Sequence, residues 1–83
     1  MRTIEWTPKA YRQLKKIKDA KTREEIYFSV QKLESFPECR NVKKLVGYDN
    51  LYRLKVKRYR VIFSENLEII NIEEVRKRDE NTY

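Results

Sequence analysis

Histidine is absent from this 83-residue chain, and cysteine and glycine occur once each, as Cys39 and Gly47. Without histidine and with a single thiol, the chain can build neither a His/Cys metal site nor an imidazole-activated nucleophile. A single glycine excludes a glycine-rich phosphate loop, and a single cysteine excludes an intrachain disulfide. We therefore expect no metal and no cofactor, an incidental or structural role for Cys39, and a reducing cytoplasmic setting.

Long apolar runs are also missing. The opening MRTIEWTP has no apolar stretch of signal-peptide length, and no later segment approaches the length of a membrane span. We therefore expect a soluble protein without a membrane partner. The length of the chain allows one small domain, residues 1–83, and stabilisation of so small a domain by a partner would be unsurprising.

Charge is abundant and unevenly placed. The chain has 20 Lys and Arg against 13 Asp and Glu, which gives a formal net charge of +7. Residues 43–60 carry seven cations and one acid, whereas residues 61–83 carry three cations and six acids. Concentrated positive charge is typical of a nucleic-acid-binding surface, although an acidic protein partner would be attracted to the same charge.

The densest part of this charge is the segment YRLKVKRYRVIF at residues 52–63, which alternates apolar and basic side chains at the period of a β-strand. A short break at Arg58 divides the segment into the two strands of a hairpin. The side chains that we expect on its buried face are Tyr52, Leu54, Val56, Tyr59, Val61 and Phe63. The cations that we expect on its opposite face are Arg53, Lys55, Lys57 and Arg60. Lysine and arginine often make the wet face of a sheet soluble. However, five cations without an acid across residues 52–60 favour a phosphate-binding surface, because solvated faces usually mix signs.

Two helices precede this hairpin. Thr7-Pro8 is typical of a helix start, with threonine as the N-cap, and Thr22 to Glu25 has the capping-box pattern that opens a second helix. Phe36-Pro37 ends the second helix. The residues that we expect to face the core are Ala10, Tyr11, Leu14, Ile17, Ile26, Val30 and Leu33. The short polar link at residues 18–21 makes the pair a helical hairpin.

Strand patterns lie on both sides of the helices. Thr3 to Trp6 predicts a first strand, Lys43-Lys44-Leu45 leads through a turn at Gly47 into the basic hairpin, and a strand from Leu67 to about Val75 follows. Apolar residues on both faces of this last strand predict a place inside the sheet. The order β-α-α-β-β-β predicts an α+β domain in which the helical hairpin packs on one face of a small, mainly antiparallel, twisted sheet.

The residue types that remain suit metal-free cleavage of RNA. A carboxylate magnesium site from Glu73, Glu74 and Asp79 is conceivable, but three acids near a strand end are more often solvated surface. In RNA cleavage the substrate's own 2′-hydroxyl is the nucleophile, so the protein needs a base, an acid and cations that stabilise the phosphorane. A lysine among other cations can act as the base, arginine presents a planar fork to phosphate oxygens, and tyrosine can stack on a base.

The whole chain resembles the RelE/ParE superfamily of bacterial toxins, and most of all its RelE branch. The features that carry the resemblance are the early WTPKAYRQLKKI, the KKL-x-G element at residues 43–47, the basic hairpin, and the ending IEEVRKRDENTY. The resemblance implies a toxin of a type II toxin–antitoxin system that enters the A site of the 70S ribosome and cleaves mRNA there. It also implies a 2′,3′-cyclic phosphate product and inhibition by a cognate antitoxin.

The resemblance also implies roles for single residues. Lys55 matches an active-site lysine and is the expected general base, Arg60 and Arg78 are expected to stabilise the phosphorane, and Tyr83 is expected to stack on or orient a base. The expected RNA-binding residues are Lys43, Lys44, Arg53, Lys57, Arg58 and Lys77. The chain departs from the family pattern in that Arg53 stands where a second lysine is usual and in that the tail is one residue shorter, ending at Tyr83.

Two rival functions remain. A ParE-like toxin would share the fold but inhibit DNA gyrase without cutting RNA. A simple nucleic-acid-binding module would need only the basic face. The strand cations, the tail arginine and the tail tyrosine favour the cleaving toxin over the ParE-like toxin.

Overall fold

The structure of the chain, a computed structural model, describes residues 1–77. It contains two helices and five strands: β1 (Thr3–Trp6), α1 (Pro8–Lys15), α2 (Ala20–Gln31), β2 (Val42–Lys44), β3 (Leu51–Val56), β4 (Tyr59–Asn66) and β5 (Ile69–Lys77). A 3-10 turn at Lys32–Ser35 follows α2 directly. Strand β2 is one strand more than the pattern predicted, because three residues are too few to show a period. Within the described residues, neither helix has the length and apolar character needed to cross a membrane.

The five strands form one sheet in the order β1-β5-β4-β3-β2. The pair β1–β5 is parallel and the other three pairs are antiparallel, which confirms the mainly antiparallel α+β fold. Strand β5 lies between β1 and β4, as its two apolar faces predicted. It begins at Ile69, two residues later than predicted, because Leu67 lies in the preceding turn with 84% of its surface exposed.

The N-cap of α1 is the predicted one, and that of α2 is not. Thr7 Oγ1 accepts a hydrogen bond from the Ala10 N–H at 3.2 Å, and Pro8 is the first helical residue. The predicted capping box at Thr22 is wrong, because α2 is capped by Asp19 instead. The Asp19 carboxylate accepts from the Lys21 N–H at 3.2 Å and from the Thr22 hydroxyl at 2.6 Å, and these hydrogen bonds, that of Thr22 first, lower the pKa of Asp19. The helix therefore begins at Ala20.

One hydrophobic core lies between the helices and the sheet. Its buried side chains are Ala10, Leu14, Ile17, Ile26, Val30, Leu33, Leu54, Val56, Val61, Phe63, Ile70, Ile72 and Val75. The predicted helical positions are thus buried, with one exception. Tyr11 is 50% exposed and lies beside the ammonium group of Lys15, which is 5.7 Å from its ring centroid. Tyr11 stands 100° around the helix from Ala10, at the edge of the apolar stripe.

Aromatic rings close the core beside β3 and β4. The fully buried ring of Phe63 stacks on Tyr52 with centroids 5.6 Å apart, and Phe36 meets both rings edge-on at 5.7 and 4.9 Å. Offset and edge-on arrangements are the favourable geometries for aromatic pairs. This cluster ties the segment after the 3-10 turn to the inner face of the hairpin, and so fixes which face of β3 and β4 points outward.

Candidate nucleic-acid interface

The outer face of the sheet, away from the helices, carries a set of aligned cations. Side chains paired across neighbouring strands lie on the same face, and side chains two residues apart along a strand do so too. The paired positions are Lys43 with Arg53, Lys55 with Arg60, and Arg60 with Arg76. We call these five residues the basic face. Of the predicted site residues, Lys43, Arg53, Lys55 and Arg60 are brought together here.

Three of these cations form a row across β3, β4 and β5. Lys55 stands opposite Arg60, which stands opposite Arg76 on its other side. Lys55 and Arg76 are exposed, and Arg60 is half-buried. Like charges at directly opposed positions destabilise a sheet by roughly 0.2–1 kcal/mol per pair, and a bound phosphate would relieve that repulsion.

Arg76 had no predicted role, because its place depends on an irregularity in the sheet. The β4–β5 register passes from Ile62–Glu74 to Phe63–Ile72, which leaves Glu73 as an extra residue in β5. Simple alternation from Ile72 would have turned Arg76 toward the core. The extra residue reverses the phase, buries Val75 and turns Arg76 outward. The acidic pair Glu73-Glu74 between apolar Ile72 and Val75 was the available signal.

The two acids beside the row have partners within the protein. The Ser64 hydroxyl donates to Glu73 Oε2 at 2.7 Å, and Lys9 Nζ donates to Glu74 Oε1 at 2.7 Å. Glu74 Oε2 also lies 3.3 Å from Arg76 Nε. The hydrogen bond from Lys9 and the charge of Arg76 lower the pKa of Glu74. Within residues 1–77 no group of three or more metal-ligating side chains forms a site, and Asp79 lies outside the described residues.

Lys57 does not lie on the basic face, so its predicted placement there is wrong. It follows the last residue of β3 in the hairpin turn and has a positive φ of 53°. Alternation ends where the strand ends, and the left-handed backbone turns the side chain toward the helices. Its ammonium group lies 2.9 Å from Glu25 Oε2 of α2. Arg58, the next residue, is exposed at the tip of the hairpin.

Lys44 and Lys77 also fall on the helical side of the sheet. Lys44 pairs with Tyr52, and Lys77 pairs with Tyr59, and both tyrosines pack against the core. Both lysines are exposed at sheet margins, but neither shares the face of Lys55. Arg78 and Tyr83, the two predicted site residues of the tail, lie outside the described residues.

The described part of the site is therefore a cation-lined face of the sheet. Lysine supplies a proton acceptor when neutral, and arginine supplies forked donors for phosphate oxygens. Such a surface can hold an RNA strand by its phosphates, and its chemistry is limited to proton transfer and charge stabilisation.

Solved structures place this fold among bacterial and archaeal toxins. The isolated RelE toxin of E. coli superposes with a TM-score of 0.82 at 17% identity, covering 99% of this chain and 89% of that one. The RelE–RelB complex of Pyrococcus horikoshii OT3 gives 0.80 at 24% identity, covering 95% and 97%. The chromosomal ParDE system of P. aeruginosa gives 0.78 at 17% identity, covering 95% and 98%. At these identities the likeness is one of fold, the fold that RelE and ParE toxins share.

The sequence itself shows which family the chain belongs to. Residues 4–82 match the family model described as the ParE toxin of the type II toxin–antitoxin system parDE, and the chain belongs to this family. The predicted membership of the RelE/ParE superfamily is thereby confirmed, and with it a toxin of a type II toxin–antitoxin system. No curated protein sequence gives a significant match.

Proposed function

We propose that this toxin is a metal-independent, ribosome-dependent mRNA endonuclease that cuts the codon in the A site. The observation that carries the proposal is the row of Lys55, Arg60 and Arg76 across three adjacent strands. A row of cations at strand spacing suits one phosphate and its neighbours along a single strand of RNA. The fold likeness to the RelE toxins of E. coli and P. horikoshii supports the same function.

In the proposed reaction Lys55, in its neutral form, takes the proton of the 2′-hydroxyl. The freed oxygen attacks the adjacent phosphorus, and the bond from phosphorus to the 5′-oxygen breaks. The products are a 2′,3′-cyclic phosphate and a 5′-hydroxyl, whose oxygen receives its proton from water. Arg60 stabilises the charge on the phosphorane, and we propose the same role for Arg78 of the tail, with Tyr83 stacking on a base. Arg53 and Lys43 hold neighbouring phosphates.

The ribosome has a positional role in this proposal. The chain has no histidine, and the five residues of the basic face are all cations, so we propose that the protein by itself does not hold the 2′-oxygen in line with the leaving oxygen. Holding the codon in a fixed geometry is worth a large part of a reaction barrier. We therefore expect slow cleavage of free RNA and a cytoplasmic site of action, where ribosomes are.

The experiment is incubation of purified toxin with programmed ribosomes, followed by mapping of the mRNA 5′ ends. We expect cuts between nucleotides of the A-site codon, with Lys55→Ala and Arg60→Ala inactive. Lys32→Ala is the matched control, since Lys32 is an exposed lysine on the 3-10 turn away from the basic face. An absence of A-site cuts with wild-type toxin would overturn the endonuclease, and full cutting by Arg60→Ala would overturn the proposed cleavage mechanism.

A second candidate function is inhibition of DNA gyrase. Its support is the family description, which names ParE, together with the fold likeness to the ParDE system of P. aeruginosa. A supercoiling assay with purified gyrase decides this alternative. Inhibition that survives Lys55→Ala, from a toxin that leaves mRNA intact, would establish the gyrase inhibitor. Inactivity in both assays with retained RNA binding would leave a simple nucleic-acid-binding module.

We also propose a cognate antitoxin as the protein partner, as RelB is for the P. horikoshii RelE. Two surfaces suit it: the basic face suits an acidic segment, and the exposed rings of Tyr27 and Phe28 beside Trp6 suit the apolar side of an amphipathic helix. A small acidic reading frame beside the toxin gene is the candidate to co-express. Phe28→Arg should then reduce co-purification, whereas unchanged co-purification would exclude the aromatic surface.

A further inference from the structure

A second basic surface lies on α1, on the helical side of the molecule. The side chains of α1 that point inward are Ala10 and Leu14, followed by Ile17 after the helix. The exposed cations of α1 and its C-cap, which we call the α1 stripe, are Lys9, Arg12, Lys15 and Lys16. No acidic residue occurs between positions 6 and 18. The α1 stripe therefore carries no acid of its own, and its one carboxylate partner, Glu74 of β5, pairs with Lys9 at the N-terminal end.

The α1 stripe is continuous with the basic face around the edge of the sheet. Strand β1 ends at Trp6, opposite Ile72, and within residues 1–77 no strand pairs with the remainder of β5 on that side. Helix α1 occupies this position: Gln13 Oε1 accepts the Val75 N–H at 2.7 Å. Lys9 and Arg76 share the carboxylate of Glu74 at 2.7 and 3.3 Å. One carboxylate thus separates the end of the cation row from the start of the α1 stripe.

The local structure does not account for this charge. In the described part of the chain no ion pair involves Arg12, Lys15 or Lys16. Cations in a last helical turn interact favourably with the helix dipole, which accounts for Arg12, Lys15 and the C-cap residue Lys16 singly. Arg12 and Lys16, however, stand four residues apart, where like charges destabilise a helix by roughly 0.2–0.5 kcal/mol. An α-helix of eight residues has little stability of its own to offset this.

The composition of the α1 stripe favours a polyanion over a protein. Protein interfaces are depleted of lysine and rich in aromatic residues at their centres. Helix α2 shows that character, with Tyr27 and Phe28 exposed next to each other, ring centroids 6.2 Å apart. The outer side of α1 offers one ring, Tyr11, and otherwise long cationic side chains. Helical spacing places Arg12 and Lys16 about 6 Å apart along the axis, near the distance between successive phosphates of an RNA strand.

We propose that the α1 stripe is a second RNA-binding surface, which contacts the phosphate backbone of folded, double-helical RNA while the basic face holds the strand that is cut. The proposal rests on the proposed function, since an endonuclease that works on the ribosome meets both kinds of RNA. A-form duplexes are recognised chiefly by shape and backbone, which requires spaced cations and no base-reading pocket. The α1 stripe has these properties.

The test compares two double variants of equal net charge. Arg12→Gln/Lys16→Gln removes the centre of the α1 stripe, and Lys21→Gln/Lys32→Gln removes two exposed lysines elsewhere on the helical side. Glutamine has a helix propensity close to those of arginine and lysine, so helix propensity should not lower the thermal midpoint of either variant, and Arg12→Gln/Lys16→Gln also removes a like-charge pair. The probe is a fluorescent 16-base-pair RNA duplex, and its anisotropy is measured at increasing salt.

We expect Arg12→Gln/Lys16→Gln to bind the duplex roughly tenfold more weakly and to lower the slope of log affinity against log salt by about 2, one for each phosphate that the variant no longer neutralises. The control variant should change both by much less. Equal losses in the two variants, or wild-type binding by Arg12→Gln/Lys16→Gln, would overturn the proposal. Tighter α1-dependent binding to polyglutamate than to the duplex would also overturn it, in favour of an acidic protein.

The outcome for the proposed function is read separately, from cleavage on programmed ribosomes. If wild-type toxin cuts no mRNA but Arg12→Gln/Lys16→Gln binds the duplex more weakly than wild type, the endonuclease is refuted and the α1 stripe is supported. Toxin that cuts mRNA while Arg12→Gln/Lys16→Gln binds the duplex normally would refute the α1 stripe alone.

Discussion

The two faces of the β3–β4 hairpin have opposite relations to stability. On the inner face Leu54, Val56, Val61 and Phe63 are at most 7% exposed and pack against the helices. On the outer face Lys55 and Arg60 are directly opposed, and Arg76 extends the row. Burial of the inner face contributes the free energy that keeps the hairpin folded, whereas like charges at opposed positions cost free energy except where an acid offsets them, as Glu74 does for Arg76. The difference teaches that a small domain can place like charges side by side when the other side of the same strands is fully packed.

The largest expected effect comes from removing packing on the inner face of the hairpin. Phe63→Ala deletes a fully buried ring that contacts Tyr52 and Phe36, and it should lower the free energy of unfolding by about 3–5 kcal/mol. Urea denaturation measures the loss, with Arg53→Ala on the outer face as the control. A loss below about 1 kcal/mol would show that the hairpin is not held by its inner face.

A substitution on the outer face should reduce cleavage without lowering stability. Lys55→Met removes the proposed base and should reduce ribosome-dependent cleavage by about 10²–10⁴-fold. The same change removes one cation from the row and should leave stability unchanged or raise it by up to roughly 1 kcal/mol. Lys55→Arg separates the two roles, because arginine keeps the charge but is a poor proton acceptor. Cleavage by Lys55→Arg at the wild-type rate would contradict the role of Lys55 as base.

The faces of the hairpin could be predicted because they depend on period alone. Alternation over residues 52–63 places Arg53, Lys55 and Arg60 on one face, and the β3–β4 register confirms that placement. The same holds for the buried helical positions, apart from Tyr11 at the edge of its stripe. The roles of these cations in cleavage stay predictions, since position on a face is geometry and catalysis is chemistry.

What could not be predicted depends on where alternation starts and stops. Lys57 was assigned to the outer face because the pattern continues through it, but the strand ends at Val56. Arg76 was missed because Glu73 is an extra residue that reverses the phase of β5. Asp19 was missed as the cap of α2 because Thr22 offered the more familiar pattern. In each case a single residue at the end of an element, or at an irregularity within it, decided which way the side chains point or where the element begins.

The turn residue Lys57 gives a finer test of which side chains belong to the outer face. Because its ammonium group pairs with Glu25, Lys57→Ala should reduce cleavage far less than Lys55→Met does. The Lys57 and Glu25 side chains are 56% and 32% exposed, so a double-mutant cycle with Glu25→Ala should give a coupling energy below about 1 kcal/mol. If Lys57→Ala loses as much cleavage as Lys55→Met, Lys57 takes part in the RNA-cleaving site.

The smallest expected effect concerns Glu74, which joins the outer face to α1. Its pKa is lowered by the hydrogen bond from Lys9 and by the charge of Arg76, below the ordinary value of 4.5. A carboxylate whose pKa is lower in the folded state stabilises the fold above its unfolded pKa, and this contribution is lost as pH falls through the folded value. The free energy of unfolding should therefore fall as the pH drops below the ordinary value of 4.5, and Glu74→Gln should show a shallower fall than wild type.

Urea denaturation at a series of pH values measures this, with Glu68→Gln as the control because Glu68 is exposed in the β4–β5 turn. Asp19, whose pKa is also lowered, keeps its own share of the acid dependence in every variant. If Glu74→Gln and Glu68→Gln follow the same curve, the contact among Lys9, Glu74 and Arg76 does not couple the outer face to α1.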